Sequence, residues 1–151
     1  MNVSGTRDFD APVQVVWDVI NDPSRMAKLM PGVESFVVKD ERNWQASVKV
    51  PLGMGGLKLK MNFQKVEERP IEYASLNAKG NGVGAILSMQ TRFELAEDGD
   101  GTTMNWAADV SIAGPVGSMG QRVLQPIVNQ QVGNVLNALE KQVTAAAAGP
   151  A

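Results

Sequence analysis

DAPVQVVWDVINDPSRMAKLMPGVESF, residues 10–36, carries two short helices and the start of a strand in one run. Val13, Val16, Trp17 and Ile20 recur at helical spacing and form one apolar stripe. Asp10 is placed to cap that helix, and Pro12 suits its first turn, where a missing N–H breaks no bond. Asp22-Pro23 then stops the helix and restarts it, with Asp22 as cap and Pro23 at the first helical position. Met26, Leu29 and Met30 are the apolar positions of the second helix, which Pro31-Gly32 ends before a Val-rich extended segment at 33–39.

Working outward, residues 2–9 read as a strand before the helices. After them, period-two alternation bounded by turn residues predicts strands at 33–39, 44–50, 57–63, 71–79, 85–95 and 102–112. Trp44, Ala46, Val48 and Val50 share one face. So do Leu57, Leu59, Met61 and Phe63, while Lys58, Lys60 and Asn62 take the other. Ala85, Leu87, Met89, Thr91, Phe93 and Leu95 form a third row, which leaves Arg92 pointing outward. Met104, Trp106, Ala108, Val110 and Ile112 form a fourth. Short connections make neighbouring strands antiparallel. Residues 116–145 read as one long helix with Val128, Val132, Val135, Leu136, Leu139 and Val143 on its buried stripe and a kink at Pro126. Gly117, Gly120 and Gly133 would each weaken that helix by about 1 kcal/mol relative to alanine. An apolar inner face and a polar outer one predict an α+β fold. About seven antiparallel strands curve around the long C-terminal helix, with two short helices after the first strand. Residues 1–145 form one domain, and the Ala-rich stretch 146–151 reads as a tail or linker.

Composition narrows the chemistry. The 151 residues hold 14 basic and 16 acidic side chains, a balance that offers no electrostatic footprint for nucleic acid. There is no cysteine and no histidine, so thiol chemistry, Ser-His-Asp catalysis and the commonest metal ligands are excluded. Carboxylate chemistry stays open, but no catalytic residue and no metal ligand is expected. No apolar run reads as a signal peptide or bilayer span, which points to a cytoplasmic chain.

The pieces SGTRDFDAPVQVVWDVINDP, LMPGVESF, GGLKLKMNF, AKGNGVGA and EDGDGTTMNWAADVSIAGPVGSMGQRVL, in this order with a closing amphipathic helix, resemble the START-like (SRPBCC) helix-grip superfamily. More closely, they resemble the carbon monoxide dehydrogenase CoxG family. The Asp-Pro break, the Pro-Gly before the second strand and the Gly-rich start of the last helix carry the match, which runs from residue 4 to about 143. Many relatives have a small residue or a cysteine after the Pro-Gly; Val33 stands there in this chain, so no thiol role transfers. The resemblance implies a hydrophobic cavity between sheet and long helix and service to a molybdenum hydroxylase complex, in maturation, membrane recruitment or carriage of a quinone- or lipid-like ligand. That ligand would be its sole bound cofactor. Many members carry a C-terminal extension that reaches the membrane; this sequence stops in the Ala-rich stretch, so that part is either absent or beyond this sequence. The resemblance implies a cytoplasmic place with the inner membrane face as a place of contact.

Successive turns of an antiparallel series fall at opposite ends of the sheet. One end collects KDERN (39–43), EERP (67–70) and EDGDG (97–101), all charged. The other collects PLGMGG (51–56), KGNGVG (79–84) and AGPVGSMG (113–120), with the Met30 junction beside them. Gly-rich turns bearing apolar side chains read as a mobile cavity mouth, where methionine repacks around variable ligands. The expected gate is Leu52, Met54, Gly82, Val83 and Gly117. The expected cavity wall is Met30, Trp44, Met61, Met89, Phe93, Trp106, Met119 and Val123. Lys58 and Lys60 face outward, with Lys49 beside Lys58 if PLGMGG closes a hairpin in simple register; they read as a solvated edge or as a patch for anionic lipid. Three functions fit: a non-catalytic carrier of a hydrophobic small molecule, an enzyme of the polyketide cyclase or aromatase type, and a protein-interaction module with a filled core. An internal cavity separates the last from the other two.

Overall fold

Alternation sorts each strand into an inner and an outer row, and the ladder lines these rows up into one apolar face. The computed structural model describes residues 1–29, 32–51 and 56–148. Through them run β1 (Asn2–Phe9), α1 (Val13–Ile20), α2 (Pro23–Ala27), β2 (Val33–Val38), β3 (Asn43–Val50), β4 (Leu57–Arg69), β5 (Tyr73–Gly82), β6 (Ala85–Asp98), β7 (Gly101–Ala113) and α3 (Gln121–Ala148). The strands make one sheet in the order β1-β7-β6-β5-β4-β3-β2, antiparallel throughout. Since β1 and β2 are the two edges, the α1–α2 segment must cross from one edge to the other. The sheet curves around α3, as the helix-grip expectation required.

Local chemistry sets the helix ends. Asp22 caps α2 by accepting from the Ser24 backbone N–H at 2.9 Å, with Pro23 at the first helical position. Asp10 does not cap α1: the N-cap is Pro12, whose carbonyl accepts from the N–H groups of Val15 and Val16. The cause is the junction before it, where buried Ala11 has its carbonyl held by the Thr102 hydroxyl at 2.8 Å. That contact starts the helix at Val13 and leaves Asp10 exposed. The long helix also starts later than its apolar pattern suggests. Gly117–Met119 form a 3-10 turn, and Gly120 at φ 83° breaks the backbone before Gln121. Only glycine adopts that φ without strain. Neither Gly117 nor Gly120 therefore lies in the helix interior; Gly133 does. At its other end α3 runs on through Ala148, and Ala146 packs against the core.

At the charged end, Asp40 accepts from the Arg42 backbone N–H and from the Asn43 side chain, which hold its carboxyl below the usual carboxylate range. β5 begins at Tyr73 rather than 71. Pro70 and Ile71 occupy a turn closed by Glu72 N–H to Arg69 C=O, with Ile71 at φ 71° where glycine is usual. β4 continues past Phe63 to Arg69 with a bulge between Lys65 and Glu67.

The core has a filled half and a hollow half. Toward the charged end, Val16, Val19 and Ile20 of α1 pack with Leu139 and Val143 of α3 and with Met104 and Leu95 of the sheet. Arg7 donates to Asn137 at 2.6 Å, and Gln142 donates to the Arg25 carbonyl at 3.1 Å, so this half of α3 is tied to β1 and α2. Lys65 is the one buried charged side chain among the described residues. It points inward from β4 and donates to the Asn21 carbonyl at 2.7 Å and Asn21 Oδ1 at 2.9 Å, with Glu68 at 3.1 Å. It thereby fastens the end of α1 to the sheet. Lys65→Met keeps the length and removes the donor, leaving the Asn21 carbonyl short of a partner. It should cost about 2 kcal/mol in urea unfolding; a cost below about 0.5 kcal/mol would show that the tie contributes nothing.

Candidate ligand-binding cavity

Toward the Gly-rich end the inner rows do not meet the helix. Leu87, Met89, Thr91 and Phe93 point inward from β6 yet are only half-buried, as is Trp106 on β7. They face an apolar cavity of about 220 Å³. Val48 and Trp44 of β3, Leu59, Met61 and Phe63 of β4, and Ala108, Val110 and Ile112 of β7 complete the sheet side. Met26 and Leu29 close it from α2 and the residues just after it. The roof is the first half of α3, where Leu124, Ile127, Val128, Gln131, Val132, Val135 and Leu136 repeat at helical spacing. Among the described residues, the side-chain hydrogen bonds from α3 to other elements come from residue 137 onward. The roof is thus held by apolar contact alone, and Pro126 removes one of its internal bonds as well.

Trp44, Met61, Met89, Phe93 and Trp106 all line the cavity. Met119 and Val123 do not: they are 46% and 42% exposed. Leu124, 5% exposed, stands one turn before Val128 on the inward stripe, whereas Val123 beside it falls off that stripe and Met119 lies in the 3-10 turn before the helix. Met30, Leu52 and Met54 lie outside the described residues. Of the other gate positions, Gly82 ends β5 opposite Ala85, and Val83 stands 95% exposed at the tip of the next turn. Gly117 sits so close to the Ile112 carbonyl that a Cβ would overlap it. The sequence pattern already puts Thr91 on the inner face; Gln131 and Ile127 follow from the same stripe as Val128.

Ionisable groups are missing from the described wall. Its side chains with polar atoms are Thr91, Gln131, Trp44 and Trp106, and the Thr91 hydroxyl and both indole N–H groups are themselves buried without a hydrogen-bond partner among the described residues. Tyr73 lies elsewhere, under the Arg69 guanidinium at 4.5 Å. No group of three or more potential metal ligands occurs among the described residues. Trp44 is stacked on Phe63, with centroids 5.4 Å apart and planes 10° from parallel. A second, open cleft of about 450 Å³ lies between β1 and α3, lined by Asn2, Ser4, Gln125, Asn129 and Gly133. It shares Trp106, Val132 and Leu136 with the cavity and so lies just outside its wall. The apolar cavity, though smaller, is the candidate site, because burial of a ligand's apolar surface supplies the binding energy.

The carbon monoxide dehydrogenase CoxG family model matches residues 5–144. A comparison with curated proteins finds no match. Among solved structures, a conserved protein from Geobacillus kaustophilus superposes with a TM-score of 0.87 at 18% identity, over 96% of each chain. A START superfamily protein from Mycobacterium smegmatis gives 0.73 at 14% identity, over 95% of this chain and 97% of the other. The Zhui aromatase/cyclase from Streptomyces sp. R1128 gives 0.72 at 16% identity, over 100% of this chain and 99% of the other. At these identities the likeness is one of fold.

The helix phase is open to a direct check. Leu124→Ser should destabilise the protein by about 2–4 kcal/mol, as loss of a buried leucine does. Val123→Ser, one residue away, should change stability by no more than about 0.5 kcal/mol. Equal effects in thermal unfolding would contradict the placement of the roof.

Proposed function

Because the chain belongs to the carbon monoxide dehydrogenase CoxG family, we propose that it binds and carries a hydrophobic, quinone- or lipid-like ligand for a molybdenum hydroxylase of that type. The observation that carries this reading is the partly open internal cavity, whose described wall is apolar and free of ionisable groups. A filled interaction module has no use for such a space. A cyclase has to move protons between substrate atoms, and the described wall offers no acid or base to do it. The protein is therefore read as a non-catalytic carrier. At about 220 Å³ the cavity is small for a ligand site, which favours a ring-sized head group held inside with any long tail leaving through the mouth.

A ligand of this kind cannot cross water unaided, so the mouth has to meet a membrane or the partner enzyme. The Gly-rich end suits such a meeting. Val83 and Ile86 are 95% and 59% exposed there, and Met119 and Val123 lie at the same end. Leu52, Met54, Gly82, Val83 and Gly117 remain the proposed gate. Lys49 stands opposite Lys58 in the β3–β4 ladder, with Lys60 and Lys79 on the same outer face. These cations near an apolar rim would favour an anionic surface, each adding about 1 kcal/mol close to it. Asp40, Glu41, Glu67, Glu68, Asp98 and Asp100 gather at the opposite end, which would turn the mouth toward such a surface. No helix among the described residues is long and apolar enough to cross a membrane, so the proposed contact is peripheral, at the cytoplasmic face.

The test is native mass spectrometry of freshly purified protein, with organic extraction of whatever it carries. An apolar molecule is expected with the unmodified chain. Ala108→Phe, which places a ring in the cavity from β7 opposite Thr91, should yield a folded protein without it. Ligand retained at full occupancy by that variant would place binding elsewhere. An unmodified chain that carries nothing and takes up no apolar probe would overturn the carrier reading.

A further inference from the structure

β1 is an edge strand, paired with β7 on one side only. At its start the Met1 amine donates to the Val110 carbonyl at 2.7 Å, and the Val110 N–H donates to the Met1 carbonyl at 2.8 Å. Such doubly bonded pairs alternate along an antiparallel ladder. Val3 and Gly5 therefore bond to β7 as well, while Asn2, Ser4 and Thr6 turn their N–H and C=O groups to the free edge. The side chains of Asn2 and Ser4 belong to the outer row, opposite Asp109 and Ala107. What these two residues bring to the open cleft between β1 and α3 is thus backbone edge.

The facing wall is a stripe of α3. Gln125, Asn129 and Gly133 recur every four residues, and Asn137 continues the stripe. Asn137 is already tied to β1, through Arg7 at 2.6 Å, which joins the two walls at that end. Gln125 donates to Asn129 Oδ1 at 3.0 Å, leaving the Gln125 carbonyl oxygen as an acceptor and the Asn129 amide as a donor. Gly133 weakens the helix, yet a Cβ there would meet nothing within 4 Å. Packing does not demand this glycine; its effect is to leave room. None of the described residues around the cleft is ionisable.

Free backbone groups recur along β1 about every 6.8 Å, two residues of extended chain. The carboxamides recur along α3 about every 6 Å, four residues of helix. An extended peptide carries N–H and C=O groups on both of its edges at the first of these spacings, so it answers both walls at once. We infer that the cleft receives an uncharged, extended segment of a partner protein, which adds to β1 as a strand and meets Gln125 and Asn129 with its other edge. A small polyol has no regular run of groups to match the strand. Trp106, Val132 and Leu136 line both the cleft and the cavity, so a seated segment touches the cavity wall from outside. The inference goes beyond the carrier reading and stands whatever the cavity holds.

The test is selection from a random dodecapeptide phage library on the immobilised protein, followed by titration of the synthetic peptides. Uncharged sequences should be enriched. Their binding should slow hydrogen exchange at the Asn2 and Ser4 amides by about tenfold, with Val3 and Gly5, already bonded in the ladder, unchanged. Ser4→Pro removes a free N–H without breaking the ladder and should weaken binding by about tenfold. Should that variant fail to fold, Gly133→Leu fills the cleft instead; it should raise Tm by about 2–3 °C and abolish binding. No enrichment over a bare support would overturn the inference, as would peptides that both variants bind at full affinity. Uptake of maltose in the cleft with no peptide enriched would assign it to a small polyol and overturn the inference too.

Discussion

One helix cannot fill the hollow of a curved seven-stranded sheet. Strands spaced about 4.8 Å apart make a surface near 29 Å across, while a helix with its side chains is only about 10–12 Å thick. The chain meets this mismatch in two ways. Near the charged end it inserts α1 beside α3, and Val16, Val19, Leu139 and Val143 close the gap completely. Toward the Gly-rich end nothing is inserted, and the gap remains as the cavity. The tie from Lys65 to Asn21 matters for the same reason, since it holds α1 in the filled half.

The two halves of α3 differ accordingly. The second half is fixed by Arg7 and Gln142 as well as by packing. The first half lies over empty volume and follows a 3-10 turn and a left-handed glycine. Packing that rests only on apolar contact is the easiest to open and reclose. On the proposed carrier reading, stability and binding are thereby separated along one helix, and a ligand could enter without loosening the fold.

Strand alternation makes most of this legible in the sequence. Counting in twos assigns Trp44, Met61, Met89, Phe93 and Trp106 to the inner face, and they line the cavity. The order of elements and the separation of charged from Gly-rich turns come from the same count. What cannot be read depends on backbone torsion or on register between distant strands. Met119 is misplaced because the positive φ at Gly120 ends its 3-10 turn before the helix begins, and Val123 because the stripe through Val128 and Val132 runs back to Leu124 instead. Ile71 reads as strand because an isoleucine in the left-handed region carries no signature of its own. Lys65 escapes because the β4 pattern reads as ending at Phe63, although its alternation continues inward by one more step. The close packing of the Trp106 ring on Gly5, where a Cβ would stand 2.9 Å from the ring, needs the pairing of β1 with β7, about which neither local sequence says anything.

The central claim is that ligand occupies the space between the sheet and the first half of α3. Methionine methyl groups report on it without any substitution. The chain has eight methionines; Met61 and Met89 face the cavity, Met104 is sealed in the filled half, and Met119 is on the outside. Carbon-13 methyl spectra recorded while 1-aminoanthracene is added should show ring-current shifts at Met61 and Met89, with Met104 and Met119 unmoved. Binding of the probe that shifts Met119 and leaves Met61 and Met89 in place would contradict the account.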